Sequence, residues 1–244
     1  MQGKEETDKG KTMRLDKYLA SSRAGSRKEV RDLIKHGSVS VNGNICRDPS
    51  THIRSEDAVL CRGLPVVYKE HVYYMLNKPA GCVSATTDEK ERTVLDLFPE
   101  DLQKGLFIVG RLDKDSVGLL IICDDGELAH ALTSPASHVD KKYCIRTDEP
   151  LDEEDVTAFA SGITLSDGTR LKSAVLDIFE DDKCAALVTI REGKYHQIKR
   201  MIASRGKKVV YLKRLSIGGL VLDRELDEGS FRELTDEEVR VLRM

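Results

Sequence analysis

The stretch Gly110 to Leu120, Gly-Arg-Leu-Asp-Lys-Asp-Ser-Val-Gly-Leu-Leu, constrains this chain more than any other. It lies between two apolar runs, Leu106 to Val109 and Leu119 to Ile122. Short β-branched runs flanked by glycine read as buried strands, so the polar centre is expected to be a loop joining them. That puts Asp113 on a short, pinned connection. A carboxylate between core strands is costly to desolvate unless cations or donors surround it, and such a cost is carried mainly where the charge is used. Asp113 is therefore the first candidate for chemistry. On spacing alone, an Asx-type turn formed by Asp113, Asp115 and Ser116 fits the same residues.

At 244 residues and 40% hydrophobic content the chain can form one or two domains with a real core. No apolar run approaches the roughly 20 residues that cross a bilayer, and Met1 to Thr12 is too polar for a signal peptide. A cytoplasmic protein without a membrane partner is expected. Six cysteines without a C-x-x-C pair argue against zinc and fit free thiols in a reducing compartment. With no tryptophan and 5% aromatics, a stacking platform for several bases is not expected. The net charge of −3 hides an asymmetry: residues 13–63 carry +4, and Arg191 to Arg214 carries +8. Two separated basic segments on an otherwise acidic chain suggest an anionic partner met at two places, or else solvated faces.

Met1 to Thr12 has almost nothing to bury and is expected to be a disordered tail. From Met13 the pattern changes. Leu15, Tyr18 and Leu19 share one helical face, and Ser26 with Glu29 has capping-box spacing before Val30, Leu33 and Ile34. Gly37 ends that helix, Asn42-Gly43-Asn44 makes a hairpin turn after Val39 and Val41, and Ala58 to Cys61 adds a strand. Arg14, Lys17, Arg27, Lys28, Arg31 and Lys35 fall on or beside the two helices, where they can face a phosphate backbone. Leu64 to Glu70 reads as a linker stiffened by Pro65.

A second domain is expected from His71. Val72 to Leu76 reads as a strand stopped by the turn Asn77-Lys78-Pro79-Ala80-Gly81. Gly126 to Leu132 reads as a helix stopped by Pro135, and Lys141 to Ile145 opens another strand. Glu149 to Asp155 reads as a solvated acidic helix start. Ile198, Met201 and Ile202 have helical spacing with Lys199 off that stripe and Gly206 as the stop. Two further strands are expected at Val209 to Leu212 and Leu215 to Gly218, and Leu234 to Glu238 begins a capped final helix.

Residues 13–63 resemble the small RNA-binding domain first seen in ribosomal protein S-four, through Arg14-Leu15-Asp16-x-Tyr18-Leu19 and Val39-x-Val41-Asn42-Gly43. Gly110-Arg111-Leu112-Asp113, followed by Ser116 and Gly118-Leu119-Leu120, resembles the signature loop of RNA pseudouridine synthases, with Ser116 where that family commonly has Thr. Two further blocks, Asn77 to Gly81 and Glu192 to Met201, resemble the family in the same order. The Asp-x-Asp-x-Ser spacing also resembles the phosphotransfer loop of haloacid-dehalogenase-like enzymes, although there the strand runs straight into the first Asp, whereas Gly110 and Arg111 interrupt it here.

The synthase resemblance implies an α+β protein: an S-four-like RNA-binding domain plus a catalytic domain with a mixed, largely antiparallel sheet flanked by helices. The implied boundaries are a tail at 1–12, domains at 13–63 and 71–244, and a linker at 64–70. It implies Asp113 as the catalytic nucleophile, Tyr143 stacked on the target base, and Lys199 facing the carboxylate. Arg111, beside Asp113, would fill the vacated stack or hold a phosphate. Lys78 is given an architectural part only, and His196 is set aside as a structural hydrogen-bonder. No cofactor and no metal is implied. The implied partner is ribosomal RNA, with Tyr195 to Met201 most like members acting on small-subunit (16S) RNA, free or as a ribonucleoprotein assembly intermediate, met by a monomer. Large-subunit RNA, a binding factor with a vestigial catalytic domain, and a magnesium-dependent phosphotransferase using Asp113 and Asp115 are the alternatives.

Overall fold

The computed structural model describes residues 12–22, 24–54, 56–134 and 137–243. The expected tail, apart from Thr12, and Pro135 as a helix stop lie outside them. The chain divides into two compact units, Met1–Glu70 and His71–Met244.

In the first unit β1 (Met13–Arg14) leads into α1 (Leu15–Ser21) and α2 (Arg27–Lys35). Ser26 accepts from the Glu29 amide while the Glu29 carboxylate accepts from the Ser26 amide, so the capping box forms as expected. Strands β2 (Val39–Val41), β3 (Asn44–Ile45), β4 (His52–Ile53), β5 (Val59–Cys61) and β6 (Leu64–Pro65) follow. Asn42 and Gly43 both have positive φ, 51° and 81°, the geometry a two-residue hairpin turn between β2 and β3 requires. Leu15, Leu19, Val30, Ile34, Val39, Ile53 and Val59 make this unit's own core. The expected linker at 64–70 is corrected here. β6 pairs with β5, the Tyr18 hydroxyl donates to the Val66 carbonyl, and the Tyr68 ring stacks on Tyr18 at 5.5 Å. The prolyl residue that was read as a stiff spacer sits on an edge strand, where its missing N–H costs nothing.

The second unit contains β7 (Tyr73–Lys78), a short α3 (Glu100–Gln103), β8 (Phe107–Val109), β9 (Val117–Cys123), α4 (Gly126–Thr133), β10 (Lys141–Thr147), α5 (Glu153–Ser161), β11 (Val175–Ile178), β12 (Ala185–Ile190), α6 (Gln197–Ala203), β13 (Val209–Ile217), β14 (Leu220–Val221), β15 (Phe231–Glu233) and α7 (Asp236–Arg243). Its sheet runs β11-β12-β10-β13-β9-β7-β15, and each adjacent pair in that order is antiparallel except β13 with β9. This is the mixed, largely antiparallel sheet that was expected. Alternate residues of β7 and β9 point to opposite faces: Tyr74, Leu76, Leu120 and Ile122 pack with α5 and α6, whereas Tyr73, Met75, Leu119 and Ile121 pack with α4 and α7. Burial on both faces explains why β9 reads as one continuous apolar run.

Three local expectations change. β7 runs on through Asn77 and Lys78, both buried, instead of stopping at Leu76. The two strands expected at 209–218 are one, because Arg214, which looked like a polar break, is 1% exposed inside it. Asp155 is not solvated: it is fully buried and held by Arg205 at 3.0 Å and by Lys207, which ties the start of α5 to the chain after α6. Arg243 in α7 donates to both the Tyr73 hydroxyl and the Asp125 carboxylate, and Asp125 also caps α4, so three elements share one contact.

Candidate active site

The segment 110–116 between β8 and β9 is tied down from several sides. The Ser84 hydroxyl donates to the Leu112 carbonyl at 2.7 Å and accepts from its amide at 3.1 Å. The Gly81 amide donates to the Lys114 carbonyl at 2.8 Å. Lys78, 0% exposed, donates from Nζ to the carbonyls of Ser116 at 2.8 Å, Pro79 at 3.0 Å and Lys114 at 3.3 Å. Burial pushes its pKa down to about 8. Arg214 reaches from β13 to donate to the carbonyls of Leu119 at 2.7 Å and Gly110 at 3.0 Å. Gly118 lies between Lys78 and Arg214 in register, and an added Cβ would come within 2.4 Å of the Arg214 carbonyl oxygen. Only glycine lets β13 come that close to the end of this loop.

None of these ties uses the Asp113 side chain. Ser116 closes the turn by donating its amide to the backbone carbonyl of Asp113 at 3.1 Å. The Asp113 carboxylate, 26% exposed, lies 2.9 Å from Lys199 Nζ through Oδ2 and 3.4 Å from His196 Nε2 through Oδ1. Lys199 also donates to Asp115 Oδ1 at 2.5 Å. Burial pulls the Lys199 pKa down, but hydrogen bonds and charge from Asp115 and Asp113 outweigh it, and the ammonium ends above its ordinary value. The Lys199 hydrogen bond in turn holds the Asp115 carboxyl below the usual range.

One cleft brings together Arg111, Leu112, Asp113 and Tyr143, with Ile190 and Ile198 as apolar walls. Tyr143 is buried on β10, and Arg111 is exposed. The four residues singled out in this half of the sequence, Arg111, Asp113, Tyr143 and Lys199, thus converge. His196, set aside from the sequence as a structural hydrogen-bonder, also lines this cleft; it has φ 48° at the start of α6, and a lone histidine before a basic helix gives no sign of that geometry. Lys78 has the architectural part expected of it, as a loop anchor, whereas Arg214 was missed because it sits where two strands were expected to part. Among the described residues, no group of three or more His, Cys, Asp or Glu side chains is arranged to hold a metal ion.

In the first unit the six expected cations are all exposed. Arg14, Lys17, Arg27 and Arg31 surround the buried Asp16 in one hollow, to which Lys28 and Lys35 do not contribute. Asp16 accepts from Arg14 at 3.0 Å and from Arg31 at 3.0 Å. Burial raises its pKa, but the two guanidinium groups outweigh that and hold it below the usual range. The other basic segment behaves differently: Arg191 pairs with Asp140, Arg200 with Asp167, Arg205 and Lys207 with Asp155, and Arg214 is internal. Four of the cations in residues 191–214 are thus paired with carboxylates of their own unit.

Comparison with known proteins places this geometry. The family model for RNA pseudouridylate synthase matches residues 72–204, and that for the S4 domain matches 13–59. The chain belongs to the RNA pseudouridylate synthase family. It is 44% identical over 234 residues to an uncharacterized RNA pseudouridine synthase of Bacillus subtilis, covering 94% of this chain and 98% of that one. It is 42% identical to the ribosomal small subunit pseudouridine synthase A of Pseudomonas aeruginosa, covering 93% and 99%, and 38% identical to that of Escherichia coli, covering 93% and 98%. A crystal structure of a pseudouridylate synthase superposes with a TM-score of 0.68 at 38% identity, covering 94% of this chain and 99% of the other. As a member of this family the protein is an RNA-modifying isomerase with an RNA-binding S4 unit. The matched segment includes the 110–116 loop, so the phosphotransfer likeness of Asp113 and Asp115 is set aside. No helix among the described residues is long and apolar enough to cross a membrane.

Proposed function

We propose that this enzyme converts a specific uridine to pseudouridine in small-subunit ribosomal RNA, with Asp113 as the group that begins the reaction. The observation that carries this reading is the Asp113 carboxylate at 2.9 Å from Lys199 inside a cleft that Tyr143 also lines. Isomerisation breaks the C–N glycosidic bond, turns the uracil and rejoins it through carbon, before water captures the sugar. Asp113 begins this as a nucleophile toward the anomeric carbon or as a base that leads to a glycal. Lys199 orients and neutralises the carboxylate, and Tyr143 offers its ring to the base. Product and substrate contain the same atoms, so the reaction involves no net oxidation or reduction, and the steps assigned here to Asp113, Lys199 and Tyr143 use the chain's own side chains.

The uridine must leave its stack to reach Asp113, which costs a few kcal/mol and favours loops or weakened helices. Arg111, exposed at the mouth of the cleft, holds a phosphate or fills the space left behind. Arg14, Lys17, Arg27, Lys28, Arg31 and Lys35 grip the phosphate backbone with little regard to sequence. The preference for small-subunit RNA rests on the relatives of Pseudomonas aeruginosa and Escherichia coli that carry that name. We place the activity in the cytoplasm, in a monomer acting on ribosomal RNA or its early ribonucleoprotein.

Carbodiimide mapping of small-subunit RNA incubated with the pure protein should show one new pseudouridine. Asp113→Asn should abolish it while leaving RNA affinity within a few-fold, because the amide keeps the shape but supplies neither nucleophile nor base. Modification of large-subunit RNA alone would overturn the substrate. Binding without turnover, and indifferent to Asp113, would reduce the protein to a binding factor.

A further inference from the structure

Tyr195 stands out among the aromatic residues of this chain. Four of the seven tyrosines, Tyr18, Tyr73, Tyr74 and Tyr143, are buried, whereas Tyr195 is 74% exposed. A single exposed ring is common on a protein surface, so what sets Tyr195 apart is how and where the ring is held. Its position is built. One face of the ring lies on the His196 imidazole, centroids 3.8 Å apart and planes 17° from parallel. His196 in turn lines the cleft and comes within 3.4 Å of Asp113. The backbone that presents the pair is fixed: Gln197 accepts from the Lys194 amide at 3.0 Å and donates to the buried Glu192 at 2.9 Å, and Glu192 accepts from the Lys172 amide. His196 keeps φ at 48°, a left-handed conformation that a side chain adopts at a cost and that is met where geometry is used.

We infer that the free face of Tyr195 stacks on the base of a nucleotide adjacent to the target uridine. This rests on the function proposed above and deepens it. Tyr195 is not among the residues that line the cleft; its ring is stacked on His196, which is. A neighbouring base on the same strand can reach its free face. The His196 ring supports the tyrosine from behind and keeps its plane fixed while the target turns toward Asp113. Tyr195 is thus a positioning residue that reads the presence of a neighbouring base, not its identity, since every base offers a π face.

The test measures affinity in the Asp113→Asn background, where turnover cannot interfere, with a small-subunit RNA fragment spanning the uridine mapped for the wild-type protein. Tyr195→Leu keeps an apolar cover on His196 but removes the aromatic face, and should weaken Kd by about 5-fold or more; Tyr195→Phe should restore it. An RNA abasic at the stacking position, tested on each side of the uridine in turn, should bind the tyrosine and leucine forms equally. In the wild-type background the same loss should appear in KM more than in kcat. If the wild-type protein forms no pseudouridine, the proposed function fails and this inference with it. If it does, and Tyr195→Leu binds as tightly as tyrosine, or its loss persists on both abasic RNAs, the stacking role alone is overturned.

Discussion

Lys199 stands between two carboxylates, Asp113 at 2.9 Å and Asp115 at 2.5 Å, and the more exposed of them makes the shorter contact. Lysine with aspartate is legible from the sequence motif, but the sharing is not, because Asp115 comes close only once the loop has turned back at Ser116. Asp115 is held below its ordinary pKa by Lys199, so the pair is intact above the ordinary carboxylate range and is lost only as pH falls through that lowered value. Replacing Lys199 with Met reverses the sign. The ammonium shared by the two carboxylates is then gone, and Asp115 is no longer held below its usual range. The acid limb of the kcat–pH profile should move upward, and kcat should fall about tenfold or more, the scale of removing one charge-assisted hydrogen bond. A profile that superposes on the wild type would remove Lys199 from the reaction. Asp115→Asn should lower kcat less than about tenfold, because its side chain is 74% exposed and Asp113 keeps its own contact with the lysine.

At the level of elements, β7 shows how a strand end serves the site and why the sequence concealed it. Asn77-Lys78-Pro79-Ala80-Gly81 has the composition of a turn, and a lysine is among the residues least expected at full burial. Lys78 tolerates it because three loop carbonyls accept its protons. Its pKa near 8 means the desolvation cost is fully present below that pH and is relieved as pH rises toward 10.5. Lys78→Met removes that cost along with the three hydrogen bonds, so stability should change by only about 2 kcal/mol either way. Turnover should fall at least about tenfold, since the loop bearing Asp113 loses its anchor. Thermal unfolding alongside single-turnover rates separates the two effects, and an undiminished rate would show that the remaining ties suffice. The final helix gives a cleaner case of an element read correctly: Thr235 and Glu238 cap α7 as their spacing predicts. What spacing did not show is Arg232, which donates to both Glu238 oxygens at 2.7 and 2.8 Å and helps bring its pKa to about 2. That stability is present above about pH 4.5 and disappears as pH falls toward 2. Glu238→Gln should cost on the order of 1 to 2 kcal/mol at pH 7, allowing for partial exposure, and should flatten the acid limb of a stability titration.

Across the whole molecule, the division into two units was legible because Met13 to Cys61 and the stretch from Val72 each carry a complete apolar pattern. The second unit begins at His71 as expected, but the first was ended too early because Leu64 to Tyr68 is short, half-polar and contains proline, so nothing local reveals that it pairs with β5 and stacks on Tyr18. The basic run at 191–214 misled in the opposite direction: its charge is plain in the sequence, whereas the aspartates that take it up lie far off along the chain, 33 residues away for Arg200 and 51 for Arg191. This changes where the phosphate grip should lie. One core cluster contains only residues of the first unit and the other two only residues beyond His71, so deletion of residues 1–70 should leave the second unit folded. Affinity for ribosomal RNA should then fall at least about tenfold. The slope of log affinity against log salt should flatten by about 0.7 to 0.9 for each phosphate no longer neutralised, up to about 4 to 5 if all six cations engage phosphates. Turnover at saturating RNA should change much less, because Asp113, Tyr143 and Lys199 all remain. A truncated enzyme with undiminished affinity and an unchanged salt slope would show that cations of 191–214 exchange their aspartate partners for phosphates when RNA arrives, and that the first unit is not the grip.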